Sequence, residues 1–222
     1  MRNESIRGHA RERLLSVGAD LFLERGIHAV SVDTLAGETR VTKRTVYQHF
    51  PSKDALVAQA LQQRGEVWRA WFDAELNRRG ATPEQQLLAM FDVVADEICA
   101  GGYRGCRFVN AAAELPDPAH PARAVASAHK AAVLALIARR AAQLRTPDPD
   151  LLARQLKVLL EGAITTALVD PSPQAARDAR LAAASLLAHA SGEPRATARP
   201  RRRPRGHGHG DHEEGNGHAG IH

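Results

Sequence analysis

The segment from Ala29 to Phe50 constrains the fold more than any other part of this chain, because its pattern favours two short helices joined by a tight turn. Ser31 is a residue type that caps helix N-termini, and apolar residues follow it at helical spacing. That apolar stripe ends before Arg40, and Thr42 provides a second capping residue. We therefore predict a helix–turn–helix motif over about residues 30–49.

The second helix of this pair, predicted over residues 43–49, carries an unusual share of polar side chains. Val46 and Phe50 are four residues apart, so they share the face that packs on the core. The polar residues must then lie largely away from the core: Lys43, Arg44, Thr45, Tyr47, Gln48 and His49. Such a surface suits a helix that reads the major groove of DNA. A pair of small packed helices with a solvated polar face remains the alternative.

The residues around this pair resemble the TetR family of transcriptional regulators over about residues 7–61. The matching positions of TVYQHFPSKDAL are Thr45, Val46, Tyr47, His49, Phe50, Ser52, Lys53, Asp54 and Leu56. The resemblance implies a homodimeric, ligand-responsive regulator that binds a palindromic operator in double-stranded DNA. Together with the shared polar face, it suggests phosphate contacts from Thr42, Thr45, Tyr47, His49 and Lys53, and base contacts from Lys43, Arg44 and Gln48.

One position departs from the family pattern, which usually has glycine in the turn where this chain has Arg40. Glycine adopts positive φ angles freely, whereas an arginine in that conformation costs on the order of 1 kcal/mol. Either Arg40 accepts that conformation or the turn adopts another geometry.

The composition of the chain predicts an all-α fold. Hydrophobic residues make up 44% of the 222 residues, alternating β-branched runs are nearly absent, and no apolar run reaches the roughly 18 residues of a membrane span. The first residues lack the apolar core of a signal peptide, and with two cysteines we expect a reducing, cytoplasmic location. The net charge of +5 is concentrated near the two ends of the chain, which suits a DNA-binding head on a neutral body.

We divide the chain into three parts. Residues 5–63 form the predicted DNA-binding domain of three helices, and residues 64–191 form a ligand-binding and dimerisation domain of about six helices. A capping residue followed by proline predicts the start of a helix at three places: Thr82-Pro83, Asp148-Pro149 and Ser172-Pro173. Another helix is predicted from Pro118 to Arg145. Residues 192–222 are rich in Arg, His, Gly and Pro and are predicted to be disordered.

The last two helices are the predicted dimer interface, because they carry small and apolar residues without other obvious cover. Leu160 and Leu187 are the residues at which we expect a charge to yield monomers. The candidate residues of an effector pocket lie in the body of the protein: Trp68, Trp71, Phe91, Cys99, Cys106, Phe108, Asn110, Glu114 and His129. The tryptophans are equally compatible with core packing, and Asn110 and Glu114 with ties to a neighbouring helix.

The sequence predicts no enzyme and no cofactor, because it has neither a phosphate-binding glycine loop nor a compact set of catalytic or metal-ligating residues in its ordered part. A thiol of Cys106 beside arginines at a helix start is a candidate electrophile sensor, although a free cysteine is also a small buried hydrophobe. In the tail, His207, His209 and His212 are weak metal candidates. The alternative functions are a non-regulatory nucleic-acid-binding protein and, more distantly, a Cys-dependent enzyme.

Overall fold

The computed structural model of the chain describes residues 2–191, and every regular element in that range is an α-helix. The elements are α1 (Arg2–Arg25), α2 (Val32–Thr39), α3 (Lys43–His49), α4 (Lys53–Arg79), α5 (Pro83–Cys99), α6 (Arg107–Glu114), α7 (Pro121–Ala141), α8 (Pro149–Val169) and α9 (Gln174–Ser191). The predicted all-α fold is confirmed. The predicted tail, with His207, His209 and His212, lies outside the described residues.

Side-chain caps set the starts of most helices, as the sequence predicts. The hydroxyls of Ser31, Thr42 and Ser52 accept hydrogen bonds from backbone amides three residues ahead at the starts of α2, α3 and α4. Thr82 forms a complete capping box at α5, and Asp148 caps α8. Each cap satisfies an amide that has no partner within the helix.

The predicted bounds of α7 are wrong at both ends. The helix begins at Pro121 rather than Pro118, because Asp117 accepts a hydrogen bond from the Ala119 amide and the chain turns there. The His120 side chain then caps α7. At the other end the helix stops at Ala141, and the following residues continue as a tighter turn to Leu144.

The buried apolar residues form two clusters. One contains residues of α1–α3 and the first half of α4, and the other joins the second half of α4 to α5, α7, α8 and α9. Helix α6 belongs to the first cluster, because Phe108 and Ala111, with Leu115 just after the helix, are buried against α1–α3 and the first half of α4, which together are called the head below. The short helix α6 is therefore part of the core of the head, although it lies in the body by sequence.

The outer faces of α8 and α9 carry apolar side chains that the subunit does not cover. Val158 is 70% exposed and Leu181 is 64% exposed, while Leu151, Leu168 and Val169 are exposed along α8. Leu160 and Leu187, by contrast, are buried within the subunit at 2% and 1% exposure. The expectation that these two leucines face a partner is wrong, because their helical register points them into the core. Within residues 2–191, no helix is long and apolar enough to cross a membrane.

Candidate DNA-reading surface and effector cavity

The turn between α2 and α3 adopts the first of the two geometries considered for Arg40. Arg40 has φ 53° and ψ 43°, in the left-handed region, and its amide donates hydrogen bonds to the carbonyls of Ala36 and Gly37. The Thr39 hydroxyl donates to the Leu35 carbonyl at 2.5 Å, and the Val41 amide donates to the Ala36 carbonyl at 2.9 Å. These hydrogen bonds pair the backbone groups at the end of α2. They hold the turn in the left-handed conformation although it contains no glycine.

Helix α3 packs on the rest of the protein through its apolar face. Val46 and Phe50 are almost completely buried in the cluster formed by α1, α2 and α4. The guanidinium of Arg11, on α1, lies 5.6 Å from the centre of the Phe50 ring and donates a hydrogen bond to Gln59 of α4. This packing fixes the rotation of α3 and leaves its other face in solvent.

The exposed face of α3 carries most of the predicted DNA-binding residues. Thr42, Lys43, Arg44, Tyr47 and Gln48 are exposed, whereas Thr45 and His49 are partly buried. The hydroxyls of Thr42 and Thr45 lie 2.8 Å apart. Nζ of Lys43 donates to Asp33 of α2 at 3.0 Å, and this bond raises the pKa of Lys43. The face therefore presents cations, hydroxyls and an amide together, as a major-groove helix requires.

Lys53 lies apart from this face. Its Nζ donates to the backbone carbonyl of Ile27 at 2.5 Å, and partial burial lowers its pKa. The side chain thus ties the start of α4 to the turn after α1. A phosphate contact by Lys53 stays a prediction, and it would compete with this internal bond.

A cavity of about 310 Å³ lies where α4, α5, α6, α7 and α8 meet. Four of the nine candidate pocket residues line it: Trp68, Cys106, Phe108 and His129. Apolar side chains of Leu23, Val133, Leu160 and Ile164 complete much of its wall. Ligand pockets span roughly 300–1,000 Å³, so this cavity suits a small molecule at the lower end of that range.

The other five candidates do not line this cavity. Trp71 and Cys99 are exposed, and Phe91 is fully buried in the apolar core of the body. The side-chain amide of Asn110 donates to the Arg104 carbonyl at 2.8 Å, and Asn110 lines a more open depression that adjoins the cavity and shares Tyr103 and Arg104 with it. Glu114 points towards the DNA-binding head. Glu114 therefore ties α6 to the turn after α1, whereas Asn110 bonds only to the loop that precedes α6. A contact of either residue with an effector stays a prediction.

The cavity also contains polar residues that the sequence analysis missed. Glu97, Tyr103, Arg107, Lys130 and Glu161 line it. Lys130 and Glu161 form an ion pair at 2.6 Å between α7 and α8, and Trp68 Nε1 donates to Glu97 at 3.4 Å. Burial raises the pKa of Glu97, against the opposing effects of its bond to Trp68 and the charge of Arg107. Partners 29–31 residues apart leave no local spacing signal in the sequence.

A stack of two rings forms the cavity wall next to the DNA-binding head. Phe108 of α6 and His129 of α7 lie parallel with ring centres 3.6 Å apart, and Arg69 lies 3.1 Å from His129 Nδ1. Burial, with the nearby charges of Arg69, Lys130 and Arg107, lowers the pKa of His129 to about 3. The imidazole is therefore neutral at physiological pH, and Nδ1 accepts the hydrogen bond from Arg69.

Helix α6 connects the cavity to the head at both of its ends. Cys106, Arg107 and Phe108 at its start line the cavity, and Phe108 is also part of the core of the head. At its end, the Glu114 carboxylate accepts hydrogen bonds from the Ile27 and His28 amides at 2.6 and 3.2 Å. A displacement of α6 would therefore reach the turn that precedes α2.

A helix–turn–helix motif with an exposed polar second helix, next to a helical body that contains a cavity, is the arrangement expected of a helix–turn–helix regulator. The model of the family described as "Bacterial regulatory proteins, tetR family" matches residues 14–60. A crystal structure of a TetR-family transcriptional regulator from Streptomyces coelicolor is 32% identical and superposes with a TM-score of 0.75 over 83% of this chain and 97% of that one. The chain belongs to the TetR family and is a DNA-binding transcriptional regulator.

Two curated relatives carry related names. The HTH-type transcriptional regulator YjdC of Escherichia coli is 28% identical over 165 residues, which cover 73% of this chain and 85% of that protein. The HTH-type transcriptional repressor NemR of Escherichia coli is 25% identical over 138 residues, covering 62% of this chain and 69% of that protein. The relatives are thus named as regulators of transcription. Among the described residues, no group of three or more His, Cys, Asp or Glu side chains is placed to hold a metal ion.

Proposed function

We propose that this regulator is a homodimeric repressor of transcription that leaves a palindromic operator when a small-molecule effector fills the cavity. The observation that carries the proposal is the position of α6, whose first residues line the cavity while Phe108, Ala111 and Leu115 pack in the core of the head. An effector that moves the start of α6 would change the position of the head relative to the body. In a dimer, that motion changes the spacing of the two α3 helices.

The dimer is proposed from the uncovered faces of α8 and α9, where Val158 and Leu181 are exposed. Exposed apolar side chains on two helices that pack against each other favour burial against a partner. A two-fold axis through this surface would place the heads so that half-sites are about 34–36 Å apart, or a multiple of that distance. The operator would therefore be an inverted repeat.

The DNA contacts proposed for α3 divide into two kinds. Lys43, Arg44 and Gln48 would meet base edges, and Thr42, Thr45, Tyr47 and His49 would meet phosphates, because all of them lie on or beside the solvent face of α3. We further propose that the protein acts in the cytoplasm and catalyses no reaction.

The proposal can be tested by selecting bound sequences from randomised duplexes with the full-length protein. We expect an inverted repeat, and Arg44→Ala should relax the preference at one position of each half-site at a cost of roughly 1–3 kcal/mol on the best sequence. Arg145→Ala is the matched control, because Arg145 is exposed in the connection between α7 and α8. Recovery of sequences without symmetry or preference would instead favour a non-regulatory nucleic-acid-binding protein. An unchanged preference in Arg44→Ala would refute the base-reading role of this residue.

A further inference from the structure

One wall of the cavity holds a cation that has no partner. Arg107 is the first residue of α6, and its guanidinium makes no hydrogen bond or ion pair with any described residue. Its Nη1 is buried. The charges of Asp20 and Glu97 act on Arg107, but neither carboxylate bonds to it, since Asp20 pairs with Arg64 and Glu97 accepts the hydrogen bond from Trp68. Arg107 as a whole is partly buried. A cation that is partly withdrawn from water and bonded to no carboxylate favours a ligand that supplies the opposite charge.

The remaining charges of the cavity do not cancel this one. Lys130 and Glu161 neutralise each other in their ion pair. Arg104 adds a second cation, whereas Glu97 is the remaining acid and burial raises its pKa. Partial burial also raises the pKa of the Tyr103 phenol, and His129 is neutral. Cations therefore exceed anions on the lining.

The start of α6 adds a further site for negative charge beside Arg107. Cys106 occupies the N-cap position, but its side chain makes no capping hydrogen bond, in contrast to the caps of α2, α3, α4 and α5. The amides of the first turn therefore lack the acceptor that the other helices supply themselves. Amides and the positive end of the helix dipole favour an anion at this point.

The rest of the lining is aromatic and aliphatic. Trp68 and Phe108 contribute aromatic rings to it, and Leu160 and Ile164 of α8 contribute aliphatic side chains. A ligand that fills this space must combine an apolar body with one anionic group. The volume of about 310 Å³ limits that body to a small ring system.

We propose that the effector is a compact aromatic carboxylate, bound with its carboxylate against Arg107 and the first turn of α6 and its ring against Trp68 and Phe108. This inference rests on the proposed function, because it identifies the chemistry of the effector. It also gives the ligand a route to the head. Arg107 lies close enough to Arg64 for their charges to interact, and Arg64 pairs with Asp20 between α4 and α1. Neutralising Arg107 therefore changes the electrostatics of this contact between α1 and α4.

The test compares 3-phenylpropanoate with 3-phenylpropanamide, which has nearly the same shape but no charge and no electrophilic centre. Binding is followed by the fluorescence of Trp68 in the full-length Trp71→Phe protein, because Trp68 and Trp71 are the two tryptophans of the chain. We expect the acid to bind about tenfold or more tightly than the amide, as loss of a charge-assisted hydrogen bond predicts. Arg107→Gln should weaken binding of the acid by a similar factor and leave binding of the amide unchanged. Arg107→Lys should keep part of the preference for the acid over the amide. Arg145→Gln controls for the loss of a remote positive charge.

Three outcomes would overturn the assignment: equal binding of acid and amide, failure of both to bind, or equal weakening of both by Arg107→Gln. Preferential trapping of neutral electrophiles by Cys106 without any acid binding would also count against it. Operator binding by the same protein without ligand separates this inference from the proposed function. If the protein selects an inverted repeat but ignores the acid, only the effector chemistry is wrong. If it selects no sequence, the proposed function fails first.

Discussion

Glu114, at the end of α6, accepts a hydrogen bond from the backbone amide of Ile27 at 2.6 Å, across 87 residues of sequence. The carboxylate also accepts from the His28 amide and lies beside the Gly26 turn, which has φ +86°. We expect Glu114→Ala to lower the free energy of unfolding by about 1–3 kcal/mol, because it leaves these turn amides without an acceptor. Glu114→Gln keeps one acceptor oxygen and should cost less. Urea denaturation measures both.

The control for this link is Glu38→Ala, which removes an exposed ion pair with Arg25 in the same head. Exposed pairs contribute about 0–1 kcal/mol, so this variant should differ little from the parent protein. If Glu114→Ala proved as mild as Glu38→Ala, the contact would not hold α6 to the head. The same variants report on allostery, because a weaker link should also reduce the change in operator affinity caused by any cavity ligand.

The dimer face is tested by charges placed on its exposed residues. Val158→Glu and Leu181→Glu should give folded monomers, because both side chains are exposed on the subunit and a buried unpaired charge opposes association. Leu160→Glu and Leu187→Glu should instead unfold the protein, since these leucines lie in the core. Sedimentation velocity and circular dichroism together distinguish a folded monomer from an unfolded chain. Folded dimers in both Val158→Glu and Leu181→Glu would exclude this face.

The stability of the protein should fall in acid partly through His129. Its pKa is about 3 in the fold, below the ordinary value of 6.5, so between these values the unfolded chain binds more protons than the folded one. The contribution of His129 to the free energy of unfolding is complete above about pH 6.5 and is lost towards pH 3. Between these values the free energy of unfolding changes by at most ~1.4 kcal/mol per pH unit through this group. The raised pKa of Glu97 acts in the opposite direction. His129→Gln keeps an acceptor for Arg69 and should flatten the pH dependence, as urea titrations between about pH 4 and pH 7 would measure. An unchanged slope would show that His129 does not titrate in this way.

The two thiols should differ in their response to cavity ligands. Cys106 lines the cavity and is partly buried, whereas Cys99 is exposed. With N-ethylmaleimide at neutral pH, we expect Cys99 to label regardless of ligand and Cys106 to be protected when the cavity is filled. If Cys106 is an electrophile sensor, Cys106→Ser should keep operator affinity and lose release by electrophiles. Labelling of Cys106 only after denaturation would rule out the sensor.

Features that depend on nearby residues could be predicted from the sequence. The caps Ser31, Thr42 and Ser52 act on amides three residues away, and Val46 of α3 and Phe50 just after it, both buried, are four residues apart. The start of α7 shows the limit of such signals, because Pro118 and Pro121 both suit a first helical position. The Asp117 turn and the His120 cap select the second.

The cavity was only partly predictable, because helical periodicity separates inward from outward residues but not a cavity wall from a core. Phe91 and Phe108 both face inward, yet Phe91 is enclosed by the core of the body while Phe108 borders the cavity. The ion pair of Lys130 and Glu161 depends on how α7 and α8 cross, which no local spacing encodes. Leu160 illustrates the same limit. It lies on α8, one of the two helices of the proposed dimer interface, but its side chain is buried in the core of the subunit.

Gly65 of α4 provides the last prediction, because it leaves room for the ring stack beside the cavity. A Cβ at this position would lie 2.9 Å from the Phe108 ring, 3.1 Å from Arg69 Nη1 and 3.2 Å from His129 Nδ1. Gly65→Ala should therefore displace the stack and destabilise the fold by about 1–3 kcal/mol, less up to about 1 kcal/mol gained from the helix propensity of alanine.

Gly37→Ala is the matched control, because Gly37 lies in helix α2 and its added Cβ would meet nothing within 4 Å. This variant should stabilise the protein by about 0.5–1 kcal/mol. The emission of Trp68, whose ring centre lies 5.5 Å from that of His129, should shift in Gly65→Ala and stay constant in Gly37→Ala. Equal stabilisation by the two substitutions, with no shift in emission, would mean that α4, α6 and α7 do not pack closely at this wall, and that a ligand in the cavity has no rigid stack through which to move α6.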